Sequence, residues 1–261
     1  MLASQRQERI LDTVTQQGAA RVSELVGIFG VSDMTIRRDI EALSGRGLVE
    51  RVHGGAMALG GRSTEEPGFL AKSGLRTTEK QQIAREAADL VEPGTAVAIS
   101  AGTTTFEVAR ALRAVPDLTV VTNSVPVGQL LYEERRPDLV VIMTGGVRTP
   151  SDALVGPVAV RSLRDLHVDW LFLGVHGLDP VAGLTTPNLV EADTDRALLS
   201  CARHVVVTVD STKWGVIGLS TIAALDEVDV LVTDTALPSA AQEAVRSRIN
   251  RLVLAGPEAR A

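Results

Sequence analysis

Two arginines stand back to back in the stretch VSDMTIRRDIEAL, Val31 to Leu43, and an acid follows at once: Arg37, Arg38, Asp39. A guanidinium is a planar fork of donors that fits a phosphate or the O6/N7 edge of guanine. If Ile36, Ile40 and Leu43 form the inward stripe of a helix, the turn of about 100° per residue fixes the other directions. Met34, Arg38 and Glu41 then face outward, with Arg37 on one flank and Asp39 on the other. An outward arginine near a helix N-terminus reaches base edges in a major groove, and a flanking one holds phosphate. Ser32 and Thr35 add hydroxyls beside the free N–H groups of the helix start, which suit an anion. Asp39 either orients an arginine or pairs within the domain. A solvated helix with local ion pairs has the same pattern, so the flanking sequence has to decide.

A second set of residues could hold a small anion. Ser100-Ala101-Gly102-Thr103-Thr104-Thr105 joins the apolar run AVAIS to the helical stretch FEVARAL. Glycine lets the backbone approach closely, and threonine hydroxyls at a helix N-terminus complete a cradle. The spacing is not that of a Walker loop. Thr122-Asn123-Ser124 and Gly145-Gly146 end two further apolar runs and could bind sugar hydroxyls. Asp210 and Lys213 stand three apart after HVVVTV. That acid and base fit a polar ligand, or a capped turn with its lysine in solvent. Lysine is rare in this chain, at Lys72, Lys80 and Lys213 only.

The elements that must position these groups fall into two styles. Ser4 caps a helix from about Gln5 to Gln17, and Gly18 stops it; Ser23 caps a short second helix; Ser32 caps the third. Val31 before that cap staples onto Ile36. LVERVHGGAMAL then reads as two strands about a His53-Gly54-Gly55 turn. Three short helices and a hairpin make a winged helix-turn-helix over residues 1–59. Residues 60–75, rich in Gly, Ser and charge, read as a linker. From residue 76 to 261, helices alternate with seven continuous apolar runs: 96–100, 118–122, 139–144, 170–175, 204–209, 228–233 and 251–255. Continuous rather than alternating runs predict a doubly wound α/β domain, a parallel sheet covered on both faces.

Bulk properties bound the function. The 261 residues carry a formal charge of −6, and residues 1–61 hold seven arginines against seven acids. A nucleic-acid surface here must therefore come from charge placed on one face, not from overall basicity. Cys201 is the sole cysteine, so no intramolecular disulfide forms, and its context LLSCAR reads as a buried small hydrophobe. The four histidines, His53, His167, His176 and His204, lack metal-ligand spacing, and no cofactor is expected. No apolar run is long enough to span a bilayer, and MLASQRQERI lacks a signal-peptide pattern, so a cytoplasmic protein is expected.

The segments RQERILDTV, SELVGIFGVSDMTIRRDIEAL and GLVERVHGGA resemble the DNA-binding domain of the DeoR family of bacterial transcription regulators. The resemblance implies a recognition helix from Asp33 and a wing in the hairpin, with Ser32, Thr35, Arg37 and Arg38 on DNA. His53 in the wing is a candidate for a phosphate contact when protonated, or is simply a turn residue. It continues, in order, through EKQQIAREAADLVEPGTAVAISAGTTT, VVTNS, MTGG, GVHGLDPVAGLTTPNLVEADTDRALL and VVVTVDSTKWG. These look like the family's effector-sensing domain, which resembles sugar-phosphate isomerase and CoA-transferase folds. That implies a phosphorylated sugar or related metabolite as effector. Gly102, Thr103 and Thr104 would hold its phosphate, and Asn123, Gly145, Asp210 and Lys213 would line the rest. Glu191 and Lys80 are further candidates. The family commonly carries an aspartate where this chain has Ser100; Thr212 and Trp214 replace its usual serine and phenylalanine.

The reading is a transcription regulator, a repressor of carbohydrate-metabolism genes, that binds operator DNA as a homo-oligomer and answers to a phosphorylated effector. Two alternatives stay open. A sugar-phosphate isomerase-like enzyme would need a positioned base, for which Glu191, Asp179 and Asp210 are candidates. A second domain that only oligomerises would bind no small molecule.

Overall fold

The computed structural model describes residues 1–17, 19–52, 54–58 and 68–256. It divides into two compact units, Met1–Arg76 and Thr77–Ala261.

The first unit runs α1 (Ala3–Gln17), β1 (Ala19–Arg21), α2 (Val22–Phe29), α3 (Asp33–Gly45), β2 (Val49–Val52), β3 (Gly55–Ala58) and α4 (Phe69–Ser73). The three helices meet on Ile10, Val14, Leu25, Ile36, Ile40 and Leu43, all buried, and Val31 packs against them as the staple requires. Ser32 caps α3, its Oγ accepting the Thr35 N–H at 3.2 Å. The hairpin is joined by a third strand, in the antiparallel order β1-β3-β2. That strand explains why α2 begins before its expected cap. Pairing with β3 keeps the chain extended to Arg21, so Arg21 becomes the boundary residue and Ser23 lies inside the helix. The Arg21 N–H is taken by Glu24 Oε2 at 3.0 Å. A Cβ on Gly55 would sit 2.3 Å from the Ala20 carbonyl oxygen, so this close strand pairing requires glycine.

Part of the expected linker behaves otherwise. Residues 60–67 lie outside those described, but Phe69–Ser73 is helical, and Ala71 and Leu75 pack on the core of the first unit. Arg46 donates to the Ala71 carbonyl at 2.6 Å, and Arg76 grips both oxygens of Asp12 at 3.0 Å. The Gly/Ser content of 60–75, averaged over the whole stretch, hid the apolar residues of its second half.

The second unit opens with α5 (Thr77–Ala88), β4 (Ala96–Ile99), α6 (Thr103–Leu112), β5 (Leu118–Thr122), α7 (Val125–Tyr132), β6 (Leu139–Met143), β7 (Val147–Arg148) and β8 (Leu154–Val155). It continues with α8 (Pro157–Leu163), β9 (Val168–Leu173), β10 (Gly177–Asp179), β11 (Gly183–Thr186), α9 (Leu189–Ser200), β12 (Ala202–Thr208), β13 (Ser220–Ala223), β14 (Val230–Asp234), α10 (Ser239–Arg246) and β15 (Arg251–Ala255).

All seven expected runs become strands of one parallel sheet, ordered β15-β14-β12-β9-β4-β5-β6. Their continuous apolarity has a visible cause. Leu171 and Val207 face one buried cluster while their neighbours Phe172 and Val206 face another, so both sides of each strand are covered. From β4 the chain winds outward through β5 and β6, then crosses back to lay β9 on the other side of β4. The order therefore reverses between β4 and β9, and ligands of such sheets bind at the carboxyl ends beside that reversal. Two small antiparallel assemblies, β7-β8 and β10-β11-β13, are additions that the short polar segments around them did not signal. Among the described residues no helix is long and apolar enough to cross a membrane.

Candidate nucleic-acid interface and ligand site

The outward face of α3 carries the residues that the helical period assigned to it. Arg37 and Arg38 are exposed, as are Met34 and Glu41. The two arginines are not equivalent. Asp33, one turn earlier, takes Arg37 Nε at 2.5 Å and Nη2 at 3.2 Å, which holds the Arg37 guanidinium above its ordinary range. Arg38 makes no ion pair or hydrogen bond with any described residue, so its fork is open to a partner outside the chain. Asp39 is buried and turned the other way, accepting from Arg6 Nε at 2.5 Å and Gln7 Nε2 at 3.0 Å. Of its two sequence readings, pairing inside the domain is the one found, and it ties α3 to α1. Ser32 and Thr35 are joined through their hydroxyls at 2.8 Å, which fixes both at the helix start. His53 lies outside the described residues.

In the second unit the loop after β4 sits at the reversal of strand order. The Ser100 N–H donates to the Phe172 carbonyl at 3.0 Å, and its Oγ accepts the Gly174 N–H at 2.9 Å, so Ser100 joins β4 to the end of β9. Gly102 is extended, and a Cβ there would meet Thr105 Oγ1 at 2.9 Å. No side chain caps α6, so the N–H groups of its first turn, with Thr103 half-buried and Thr104 buried, face the strand ends. By contrast Ser124 caps α7 and Asn188 caps α9.

Asn123, at the end of β5, is bonded directly to this loop. It is 1% exposed, and its Oδ1 accepts the Ala101 N–H at 2.9 Å. Because a backbone N–H can only donate, that bond also fixes which way the amide faces. Its Nδ2 then has no acceptor among the described residues. Nor is Nδ2 sealed in the core, since the only sealed, unpartnered side-chain atoms among those residues are Thr208 Oγ1 and Thr233 Oγ1. Two donor hydrogens at the sheet end are thus without an acceptor among the described residues.

The remaining candidates flank this centre. Strands lie about 4.8 Å apart, so Gly145 beyond β6 lies two strands from β4 on one side and Asp210 beyond β12 two strands away on the other. Gly145 has φ 67°, a turn that favours glycine. Glu191, on α9, accepts from Thr149 Oγ1 at 2.7 Å and Thr186 Oγ1 at 3.3 Å. Asp210 is buried and accepts the Thr212 N–H at 3.2 Å as well as the Thr212 hydroxyl. Lys213 is half-buried, and its ammonium has no partner among the described residues. Lys80 is buried on α5. Trp214 packs against the core beneath.

Sequence reasoning passed over Asp234, which is buried at the end of β14 and accepts the Ser211 N–H at 2.7 Å and the Ala236 N–H at 3.0 Å. It holds the Asp210–Lys213 loop, and an acid ending an apolar run was the signal available for it. Asp195, one turn beyond Glu191, was also missed: burial, then the Glu191 charge, pushes its carboxyl well above the usual range. Cys201 is buried with its thiol pushed up by desolvation, as a packing residue should be. Among the described residues no group of His, Cys, Asp and Glu could hold a metal ion.

Comparison with known proteins places these two units. Residues 6–60 match the DeoR-like helix-turn-helix domain, and residues 75–235 match the DeoR C terminal sensor domain. The chain is 37% identical to the HTH-type transcriptional regulator GlpR of Haloferax volcanii, over 95% of this chain and 96% of that protein. It is 34% identical to the glycerol-3-phosphate regulon repressor of Escherichia coli (strain K12), over 91% of this chain and 93% of that protein. Ribose 5 phosphate isomerase A from Neisseria gonorrhoeae aligns over 52% of each chain at 16% identity and a TM-score of 0.38, too distant a likeness to carry any inference. With both units matched and relatives of this identity along nearly its whole length, the chain belongs to the DeoR family of DNA-binding transcriptional regulators.

Proposed function

We propose that this protein represses carbohydrate-metabolism genes and that a phosphorylated sugar or closely related phosphorylated metabolite sets its affinity for operator DNA. Residues 1–59 read the DNA, with Ser32, Thr35, Arg37 and Arg38 at the contact. Residues 76–261 bind the effector. Two or more copies act together on a repeated site, because one recognition helix spans only part of an operator.

The observation that carries the effector site is Asn123, a buried amide whose acceptor is used and whose two donor hydrogens are not. Buried polar groups are almost always paired, so a ligand oxygen is the natural acceptor. Beside it lie the uncapped start of α6 and, further along, Lys213, whose ammonium has no partner among the described residues. The nearby carboxylates are already occupied: Asp234 by two backbone N–H groups, Glu191 by two threonine hydroxyls. What remains unpaired is mostly donors, and donors select an anion rich in oxygen. Phosphate on Gly102–Thr104 and a sugar oxygen on Asn123 meet that requirement, with Gly145, Asp210, Glu191 and Lys213 lining the rest of the pocket.

The test is a titration of the protein–DNA complex with glycerol 3-phosphate and with pentose and hexose phosphates, followed by fluorescence anisotropy. One compound should change DNA affinity by about 5- to 150-fold, the usual scale of such coupling. Asn123→Asp keeps the acceptor for Ala101 and removes the donors; Lys213→Ala removes the cation. Both variants should bind DNA as before and lose the response. A response that survives both would refute the site, and turnover of the sugar phosphate would favour the isomerase-like reading.

A further inference from the structure

Met34 is 61% exposed and sits in the first turn of α3, on the outward face and one turn before Arg38. In the first turns of this helix the other outward or flanking side chains, Asp33, Thr35, Arg37 and Arg38, are polar, as is Glu41; the exposed Ala42, two turns on, adds only a methyl group. Asp33 is engaged with Arg37, and Thr35 with Ser32. Thus Met34 and Arg38, one apolar and one a guanidinium fork, are the large side chains on this face without a polar partner among the described residues. In a major groove the one apolar feature of any base edge is the C5-methyl group of thymine, and it lies in the same groove as the O6/N7 edge of guanine.

We propose that Met34 is a specificity-determining residue that reads a thymine methyl group, beside a guanine read by Arg38. The inference rests on α3 being the helix that enters the groove. The spacing is set by the helix. Four residues rise about 6 Å, while base pairs stack about 3.4 Å apart. The thymine is therefore within about two base pairs of the guanine. The residues at the start of a recognition helix are those that contact base edges, and Met34 is the second residue of α3. Its unbranched thioether chain can settle on a methyl group without a fixed rotamer. No bond is made or broken. The gain is the water removed from two apolar surfaces, and it is available only where the base carries the methyl.

The experiment uses the full chain and duplexes selected from a randomised pool by the wild-type protein. Each selected thymine is replaced in turn by uracil, which deletes the methyl and leaves every hydrogen-bonding group. At one position per half-site, near the guanine that Arg38→Ala ceases to favour, wild type should lose about fourfold in affinity, the equivalent of one methyl group at about 0.8 kcal/mol. Met34→Ala should bind the thymine and uracil duplexes there equally, with uracil effects elsewhere unchanged. Met34→Leu should retain part of the preference. If Arg38→Ala weakens binding but the uracil penalty persists in Met34→Ala, or no such penalty exists in wild type, the inference about Met34 is overturned alone. If Arg38→Ala leaves affinity and base preference unchanged, the reading of α3 itself fails and takes Met34 with it.

Discussion

The ion pair between Arg6 and Asp39 decides whether α3 is held in a fixed direction. The side chains are 11% and 5% exposed, and Asp39 also takes the Gln7 amide. Asp39→Ala therefore strands a mostly buried guanidinium and an amide donor together. Breaking a buried pair from one side costs about 3–5 kcal/mol. The lower figure applies here, because Arg6 keeps some access to water. Domains carry roughly 0.05–0.15 kcal/mol per residue, so a unit ending at Arg76 has about 4–11 kcal/mol to lose. The change removes a large share of that. With a urea slope near about 1 kcal/mol per molar for so small a unit, its midpoint should fall by about 3 M. Far-UV circular dichroism reports the helices of both units. The two tryptophans, Trp170 and Trp214, lie in the second and supply a control transition by fluorescence. DNA binding should weaken in step with loss of the first transition. The double variant Arg6→Met, Asp39→Leu should recover much of the loss, since removing both charges leaves none uncompensated. A single variant that costs less than about 0.5 kcal/mol, the scale of an ordinary surface substitution, would refute the buried-pair account. So would a double variant no better than the single.

Arg38→Ala should lower specific DNA affinity by about 1–3 kcal/mol, measured by gel retardation. Arg37→Ala should weaken all sequences alike and reduce the salt slope by about 1. Asp195 has its folded-state pKa raised by burial and by Glu191, so the native state keeps a proton that the unfolded chain releases above the usual carboxylate range. Stability should then fall as pH rises from that range toward the raised value. Asp195→Asn should flatten this dependence in thermal melts across pH and raise stability at neutral pH; a variant that melts lower at neutral pH would contradict it. Thr208 and Thr233 each seal a hydroxyl that has no partner among the described residues, and an unpaired buried hydroxyl costs about 1–3 kcal/mol. Thr208→Val should therefore raise the urea midpoint, and a fall would mean that the hydroxyl has a partner after all.

What the sequence revealed followed from how each signal arises. The seven strands were legible because burial on both faces demands unbroken Val, Ile and Leu, and no loop imitates that. The stripe Ile36, Ile40, Leu43 was legible because the helical period alone fixes its direction. Strand β1 was not: three residues, Ala19–Arg21, gain their pairing only from Gly55–Met57, far along the chain. The helix Phe69–Ser73 was hidden for a similar reason, since a helix this short depends on the surface it docks against. At the candidate ligand site the residue types were visible, but their state was not. Nothing in VVTNS tells that Asn123 spends its oxygen on Ala101 and keeps its amide hydrogens. Nothing in DSTK tells that Asp210 Oδ1 turns back onto Thr212 while the Lys213 ammonium has no partner among the described residues.

Ser100 bears on the character of the effector. The resemblance to the family implies an acid at this position, and an acid here would stand beside the first turn of α6. That carboxylate would accept ligand hydroxyls, and its charge would oppose an anion seated on the same helix. Serine accepts the Gly174 N–H at 2.9 Å and so keeps the tie between β4 and β9, but it adds no charge. A helix N-terminus favours an anion by about 0.3–1 kcal/mol when exposed and up to about 2 kcal/mol when partly buried. Removing the competing carboxylate leaves that preference intact. If the proposed site holds the effector, serine at this position exchanges recognition of a hydroxyl for a stronger hold on negative charge. A small, strongly anionic metabolite should gain most from that exchange, and a neutral sugar least. Ser100→Asp tests the point directly: it should weaken a phosphorylated effector while leaving operator affinity in its absence unchanged. An effector that binds the aspartate variant as tightly as wild type would remove charge from the explanation.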